Sequence, residues 1–427
     1  MHILFALLIL LVLVVWFYRA TNVYVQQPAA APAAPAGSVP QLKLAWVSEG
    51  KLYYQSGYGG VQQIYSPYAQ EAVDRAERSR EKQAWKKETA FGVSAQGSLR
   101  SFDREVTPIR ISSARFAMDG QLLYFQHDAG MGGLFAYDPV TGAETRLLHR
   151  QNLLLEDLSL SFSGQAIYCT IKGRDGTSHI GTMSIDGDGL RELTGGDSLD
   201  SCPAPLPGQE HVLLYQSAGI ARNQQGVWVA TANATVQELN TQTGRVTPVL
   251  DDARYDFLSP RVAPDGGLYF IRRPYEPHRY GADNFVLDTL FFPFRLLRAV
   301  FHYLNFFSLM YSRKPLTGAS GPAMQADIRN IVLQGKVIDA QKALRKEASI
   351  AGVPSLVPSS WPLVCRNRAG VETVVASNVS SFDISPKGQV VYSNGRGLFA
   401  VGASGPALLT QDSLVGDILV HDFTGAV

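Results

Sequence analysis

The stretch that decides the fold is Arg115-Phe116-Ala117-Met118-Asp119-Gly120-Gln121-Leu122-Leu123-Tyr124-Phe125. An apolar run meets a short polar turn carrying glycine, and a β-branched or aromatic run follows. Glycine takes the positive φ that a tight turn needs and the flanks have strand character, so the phrase predicts a β-hairpin. The phrase recurs at Leu160–Tyr168, Val262–Phe270 and Ile384–Tyr392, and more weakly at Trp46–Tyr54 and Leu206–Tyr215. The turn glycines Gly50, Gly120, Gly164, Gly208, Gly266 and Gly388 are spaced by 70, 44, 44, 58 and 122 residues. A period of about 40–45 residues is that of a four-stranded propeller blade. The longer spacings then mark insertions.

In the clearest unit, Ser112–Ala117 is expected as the inner strand, with Gln121–His127, Gly133–Asp138 and Glu144–His149 following outward. Pro139-Val140-Thr141-Gly142 makes the last turn. Trp361–Arg366 is expected to resume an interrupted blade, with Glu372–Ala376 as its outer strand. Ser413–Phe423 remains as a final strand, able to pair with the first residues of the body and remove an open edge. The expected fold is all-β: a six-bladed β-propeller over 41–425, with seven blades as the alternative if one is split between the termini.

Within this pattern, Leu160–Tyr168 with Thr182–Thr194, Arg261–Phe270 and Phe382–Tyr392 resemble the propeller repeat of TolB-like proteins. The resemblance implies a propeller that serves as an interaction platform in a bacterial-type cell envelope. It departs from the family pattern at Met118-Asp119, at Ser163-Gly164 and at Leu206-Pro207-Gly208.

The chain has 427 residues, 46% of them hydrophobic and 18% charged, which suffices for a large core. A net charge of +1 provides no general attraction for nucleic acid. The three cysteines, Cys169, Cys202 and Cys365, show neither metal spacing nor a disulfide framework. Ile3–Tyr18 is an unbroken apolar run ending in Trp16 and Tyr18, without a good cleavage site behind it. It reads as an uncleaved transmembrane anchor over residues 1–20 of an inner-membrane protein, leaving the side of the body open. The Ala/Pro alternation of residues 21–40 reads as a semi-extended linker.

Two insertions are expected to be helical. The first spans 66–90, with Ser66 as N-cap, Pro67 at the first helical position, and the pairs Glu71–Arg75 and Asp74–Arg78. The second spans 277–360. Its segment Phe285–Tyr311 gathers Asp288, Arg295, Arg298, His302 and Asn305 on one narrow stripe opposite a wide apolar face, and a further helix is expected around Gln325–Glu347. The candidate contacts with membrane lipid are Phe291, Phe292, Phe294, Leu297, Phe301 and Leu304, with Arg295, Arg298, Arg313 and Lys314 near the headgroups. Packing against the propeller or a protein partner are the alternatives.

No nucleophile elbow, P-loop, HExxH or dinucleotide fingerprint occurs. The polar clusters His127-Asp128 and Asp186-Gly187-Asp188 read as turns. No catalytic residue, cofactor or metal ligand is assigned. The expectation is a non-enzymatic, membrane-anchored protein-interaction platform. The alternatives are a small-ligand-binding or hydrolytic propeller using its central channel, or a structural subunit of a larger membrane complex. A cluster of inward-facing Arg, Asp, Glu or His from different blades would favour the channel.

Overall fold

The computed structural model describes residues 41–78, 109–276, 330–339, 343 and 349–422, apart from Tyr58, Ala72, Ala76, Ala129, Gly335, Ala403 and Ser404. The expected anchor, the linker and every candidate lipid contact from Phe291 to Lys314 lie outside the described residues. Among the described residues no helix is long and apolar enough to cross a membrane.

Within the unit Gln41–Val427, most of the described strands pair into six antiparallel four-stranded meanders. From inner to outer strand, the first is Asp417–Asp422, Leu42–Ser48, Lys51–Ser56 and Gln62–Ile64. The second is Arg110–Phe116, Leu122–His127, Met131–Tyr137 and Glu144–Gln151. The third is Leu155–Leu160, Ala166–Lys172, Ser178–Ser184 and Arg191–Glu192. The fourth is Ser198–Pro205, Val212–Arg222, Thr235–Asn240 and Val246–Leu250. The fifth is Tyr255–Val262, Leu268–Pro274, Leu363–Arg366 and Glu372–Ala376. The sixth is Ser381–Ile384, Val390–Ser393, Gly397–Gly402 and Gly405–Gln411. A single bridge, Ser178 to Leu199, joins the third to the fourth. The inner strands touch one another in sequence around a closed ring, which is the geometry of a β-propeller.

The recurring phrase forms the hairpin between inner and second strand. At Gly120 the backbone has φ +87°. Its N–H donates to the Ala117 carbonyl at 3.0 Å, and Asp119 Oδ1 accepts from the Gln121 N–H at 3.0 Å. Asp119 thus holds its own turn through its side chain.

The weak copy Trp46–Tyr54 is also a hairpin, but its phase differs from the one expected. Gly50 joins the second and third strands of the first meander, because the carboxy-terminal strand supplies the inner one. The 70-residue spacing therefore mixes two phases and understates the first insertion: residues 65–109 lie between Gln62–Ile64 and Arg110–Phe116. The final strand pairs as expected, with Leu42 opposite Asp422 and Val47 opposite Asp417.

Inner and middle strands such as Leu122–His127 and Val390–Ser393 bury both faces, which explains their nearly continuous apolar runs, whereas outer strands such as Glu144–Gln151 are largely exposed. Among the described residues there are six core clusters, one at each seam between neighbouring meanders. Leu44 and Trp46 pack toward the sixth meander, while Ala45 and Val47, on the other face of the same strand, pack toward the second.

The start of the first insertion is helical at 67–71, 73–75 and 77–78. Ser66 caps it, its Oγ accepting from the Ala69 N–H at 3.1 Å, and Arg75 pairs with Glu71 at 2.9 Å. Arg78 bonds the Asp74 carbonyl rather than its carboxylate. Tyr68 fastens this helix to the second meander. Its ring lies 5.2 Å from Phe135, its hydroxyl 2.9 Å from His149 Nε2, and its N–H donates to Glu144 Oε2 at 3.2 Å.

The helix expected around Gln325–Glu347 is not what forms at 330–339. Asn330–Leu333 and Lys336–Asp339 pair as a β-hairpin. Ile331-Val332-Leu333 and Val337-Ile338 flank Gln334-Gly335, and β-branched runs around a turn dipeptide favour strands. Gln334 has φ +47°. Its carbonyl accepts from Arg273 Nη1 at 2.8 Å and its amide donates to the Ser380 carbonyl at 2.9 Å, seating the hairpin on the fifth and sixth meanders.

Chain direction separates the two ends of the ring. Leu42 begins beside Asp422, at the rim carrying the Gly120-type turns. The second insertion leaves after Pro274, beside Tyr255, at the opposite rim.

Phe270 is fully buried at the seam of the fourth and fifth meanders. Phe270→Ala is expected to cost about 3–5 kcal/mol of unfolding free energy in a urea titration. A loss under about 1 kcal/mol would show that this seam is not packed as described.

A charged axial pocket as candidate binding site

Ring closure brings together side chains distant in sequence. Arg115, near the end of the second meander's inner strand, reaches Asp383 on the sixth: Nη1 donates to Oδ1 at 3.0 Å and to Oδ2 at 3.1 Å. Asp383 Oδ2 also accepts the Val420 N–H of the closing strand at 3.0 Å. Arg261, on the fifth meander, brings Nε to 3.8 Å from Asp383 Oδ1, too long for a hydrogen bond. Asp383 is almost fully buried, while the two arginines keep part of their surface.

These side chains line a cavity of about 160 Å³. Its wall combines Leu160, Phe162, Ala204, Leu206, Val262 and Ile384 with Ser159 and the three charged residues. It lies at the inner-strand ends that lead into the Gly120-type turns, on the rim where the described chain begins.

The backbone around the axis is irregular in a repeated way. Asp157, Cys202 and Ser259 all have left-handed backbone, with φ of 50°, 54° and 50°. Each lies where the inner strand slips register against its neighbour, on the third, fourth and fifth meanders. Such bulges free backbone amides from the ladder, and residues of the preceding meander take them. Ser113 Oγ accepts from Leu158 N–H at 2.9 Å, Asp157 Oδ2 from Cys202 N–H at 3.1 Å, and Gln216 Oε1 from Ser259 N–H at 3.1 Å. Asp157 Oδ2 also accepts the Thr170 hydroxyl at 2.8 Å. Non-glycine residues in this conformation cost of order 1–3 kcal/mol each, so packing must hold them there.

The electrostatics follow from this crowding. Burial pushes the Asp417 carboxyl up to about 7; Asp157 and Asp383 add to the effect, and Arg261 and Arg115 oppose it. Burial likewise pushes the Cys202 thiol well up, and Cys202 Sγ lies 3.7 Å from Ser259 Oγ. Cys169 is a buried core residue, and all three cysteines are free.

The clusters singled out in the sequence lie elsewhere. Asp128 Oδ1 accepts the N–H groups of Gly130 and Met131, both at 2.7 Å, and so holds a turn. Asp186-Gly187-Asp188 is a turn with Gly187 at φ +87° and the Asp188 N–H on Ser184 Oγ at 3.1 Å. Among the described residues no group of three His, Cys, Asp or Glu is arranged to hold a metal. The axial residues do carry a signal in the sequence. Arg115, Ser159, Arg261 and Asp383 each stand five positions before a turn glycine.

No family model matches the chain, and no curated protein matches it in sequence. Solved structures are similar to it at low identity. TolB from Acinetobacter baumannii aligns with a TM-score of 0.46 and 11% identity, over 89% of this chain and 66% of that one. The nidogen/laminin complex aligns with a TM-score of 0.45 and 9% identity, over 90% of this chain and 100% of that one. The tricorn protease aligns with a TM-score of 0.40 and 11% identity, over 88% of this chain and 34% of that one.

Two predictions follow from the axial charges. Asp383→Ala leaves Arg115 without its partner and is expected to destabilise the fold by about 3 kcal/mol in denaturant unfolding. An effect within experimental error would mean that the pair is not a closure element. Asp417 holds its proton more tightly folded than unfolded, so its contribution to stability is present below pH about 4 and is lost as pH rises to about 7. Asp417→Asn is therefore expected to gain stability relative to the parent across that window, read as a difference between two melting-temperature profiles. Parallel profiles would refute the assignment.

Proposed function

We propose that this chain is a six-bladed β-propeller that acts as a non-enzymatic, membrane-anchored interaction platform of a bacterial-type cell envelope. Six meanders and the closed ring of inner strands support the blade count, the first blade being shared between the chain ends. The observation that carries the binding reading is Phe162. Its ring lines the axial cavity that also holds Arg115 and Arg261, yet 56% of its surface is exposed. Met118, 69% exposed, occupies the neighbouring turn, close enough that a Cβ on Gly164 would lie 2.6 Å from its Cγ. Large apolar side chains clustered at a mouth with charged groups behind them are what a partner-binding surface presents.

A second reading, a small-ligand site in the channel, is favoured by Arg115, Arg261 and Asp383 converging from three different blades. The two readings share one mouth.

For the membrane, the apolar run Ile3–Tyr18 supports an anchor. A lipid contact through 285–311 belongs to the same proposal.

Phe162→Glu with Met118→Asp is expected to abolish capture of envelope proteins by in-cell photocrosslinking at the mouth while leaving the melting temperature within about 2 °C. Unchanged crosslinks would remove the mouth from the proposal. Liposome flotation of a variant lacking residues 1–40, with and without 285–311, tests the lipid contact: flotation that depends on 285–311 is expected, and no flotation of either overturns it.

A further inference from the structure

We propose that Glu372–Ala376, the outer strand of the fifth meander, is a self-association edge. It pairs antiparallel with the same strand of a second copy of this chain, on a two-fold axis at Thr373. This surface is separate from the mouth at Phe162, and the inference does not rest on the reading of that mouth.

Each blade of a propeller ends in an open edge, and an open edge is a template for another strand. Five of the six described outer strands are blunted. Gln62–Ile64 has three residues and Arg191–Glu192 has two. Glu144–Gln151 carries Glu144, Arg146, His149 and Arg150. Val246–Leu250 contains Pro248 and Gly405–Gln411 contains Pro406. Glu372–Ala376 has no proline and one charge. That charge is held within the sheet by Arg272, whose Nη1 donates to Glu372 Oε2 at 2.9 Å. The run Val371-Glu372-Thr373-Val374 is exposed at every position, Val371 at 56% and Val374 at 62%. Both faces of this stretch stand clear of the body, so its β-branched side chains fill no seam.

The backbone selects the partner. The Asn367 N–H donates to the Val371 carbonyl at 3.0 Å, so these two form a hydrogen-bonded pair. Such pairs alternate along an antiparallel ladder. Thr373 therefore bonds inward to Cys365, while Glu372 and Val374 turn N–H and C=O outward. Among the described residues that side is unpaired, because Glu372–Ala376 is the last strand of its sheet. The register shift leaves Val375 unpaired beyond Val374, so the outward stretch itself is regular. A second copy offers the same two residues in reverse order. With Thr373 opposite its own counterpart, Glu372 of each copy faces Val374 of the other, and each facing pair exchanges two hydrogen bonds. No like charges are opposed, and Val371 meets Val375 across the other face. The strand is its own complement, which is what a two-fold contact requires.

The experiment is disulfide trapping in the full chain. It uses a Cys365→Ser background, because Cys365 stands opposite Thr373 in its own sheet; Cys169 and Cys202 are buried. Thr373→Cys is expected to give a covalent dimer under mild oxidation, because the facing pair on the axis is a non-hydrogen-bonded one with its side chains close together. Val371→Cys, two residues off the axis, lies too far from its own counterpart for a disulfide and is expected to give none. Adding Val374→Lys to Thr373→Cys is expected to lower the trapped fraction by at least about 10-fold, since a two-fold contact meets the new charge twice. No dimer at Thr373→Cys, or equal trapping at Val371→Cys, overturns the proposal. An adduct of Thr373→Cys with a different protein overturns the second copy as the occupant. Sedimentation equilibrium of the unaltered full chain in detergent is expected to show monomer and dimer in exchange. Monomer at every concentration overturns the proposal without depending on any variant. Loss of the dimer with crosslinks at Phe162 and Met118 intact rejects this edge and leaves the mouth untouched.

Discussion

The rest of the structure depends on the closure of the ring by residues from both ends of the body. Asp417–Asp422 supplies the inner strand of a sheet whose other three strands come from Leu42–Ile64. Without that pairing, the strand Leu42–Ser48 would present an unpaired ladder along the axis, and the seams on both sides would lose a wall. Polar contacts secure the join. Asp422 accepts from Ser385 Oγ and the Lys387 N–H, Asp383 accepts from the Val420 N–H, and Trp46 Nε1 donates to Asp412 at 2.8 Å. Stability and a formed axial site are therefore one requirement.

That coupling explains where the irregular backbone lies. A ring of inner strands crowds its own axis, and bulges at Asp157, Cys202 and Ser259 relieve the crowding by turning one residue out of each ladder. The amides so released are taken by side chains of the preceding blade, which ties neighbours by polar contacts at the axis while apolar seams tie them farther out. The left-handed residues remain because the blades around them leave no alternative.

Charge at the axis is nearly balanced but not fully paired. Asp383 sits between two arginines and bonds only one of them. Arg261 Nε is buried without a hydrogen-bond partner, and burial, with Asp157 and Asp383 adding to it, pushes the Asp417 carboxyl well above the usual carboxylate range. An entirely structural network would be expected to satisfy its buried donors.

Much of the fold was legible in the chain because hairpins are local. Gly120 and Gly388 announce turns, the runs beside them alternate between two seams, and Ser413–Phe423 stands out as a strand without a neighbour in sequence. Where the local signal was shared by two states it misled: the segment at 330–339 contains enough apolar residues for a helix, but Gln334-Gly335 between β-branched runs makes a hairpin. Gly50 misled by phase, since a turn between second and third strands looks like one between first and second. The axial site was legible least. Arg115 and Asp383 are separated by 268 positions, and nothing in the neighbourhood of either says that the other is near. Sequence by itself determined the strands, their turns and the need for closure, because these follow from backbone conformation and burial over a few residues. Only the tertiary structure decided which charges meet, because that depends on the ring bringing one position of each repeat to a common axis.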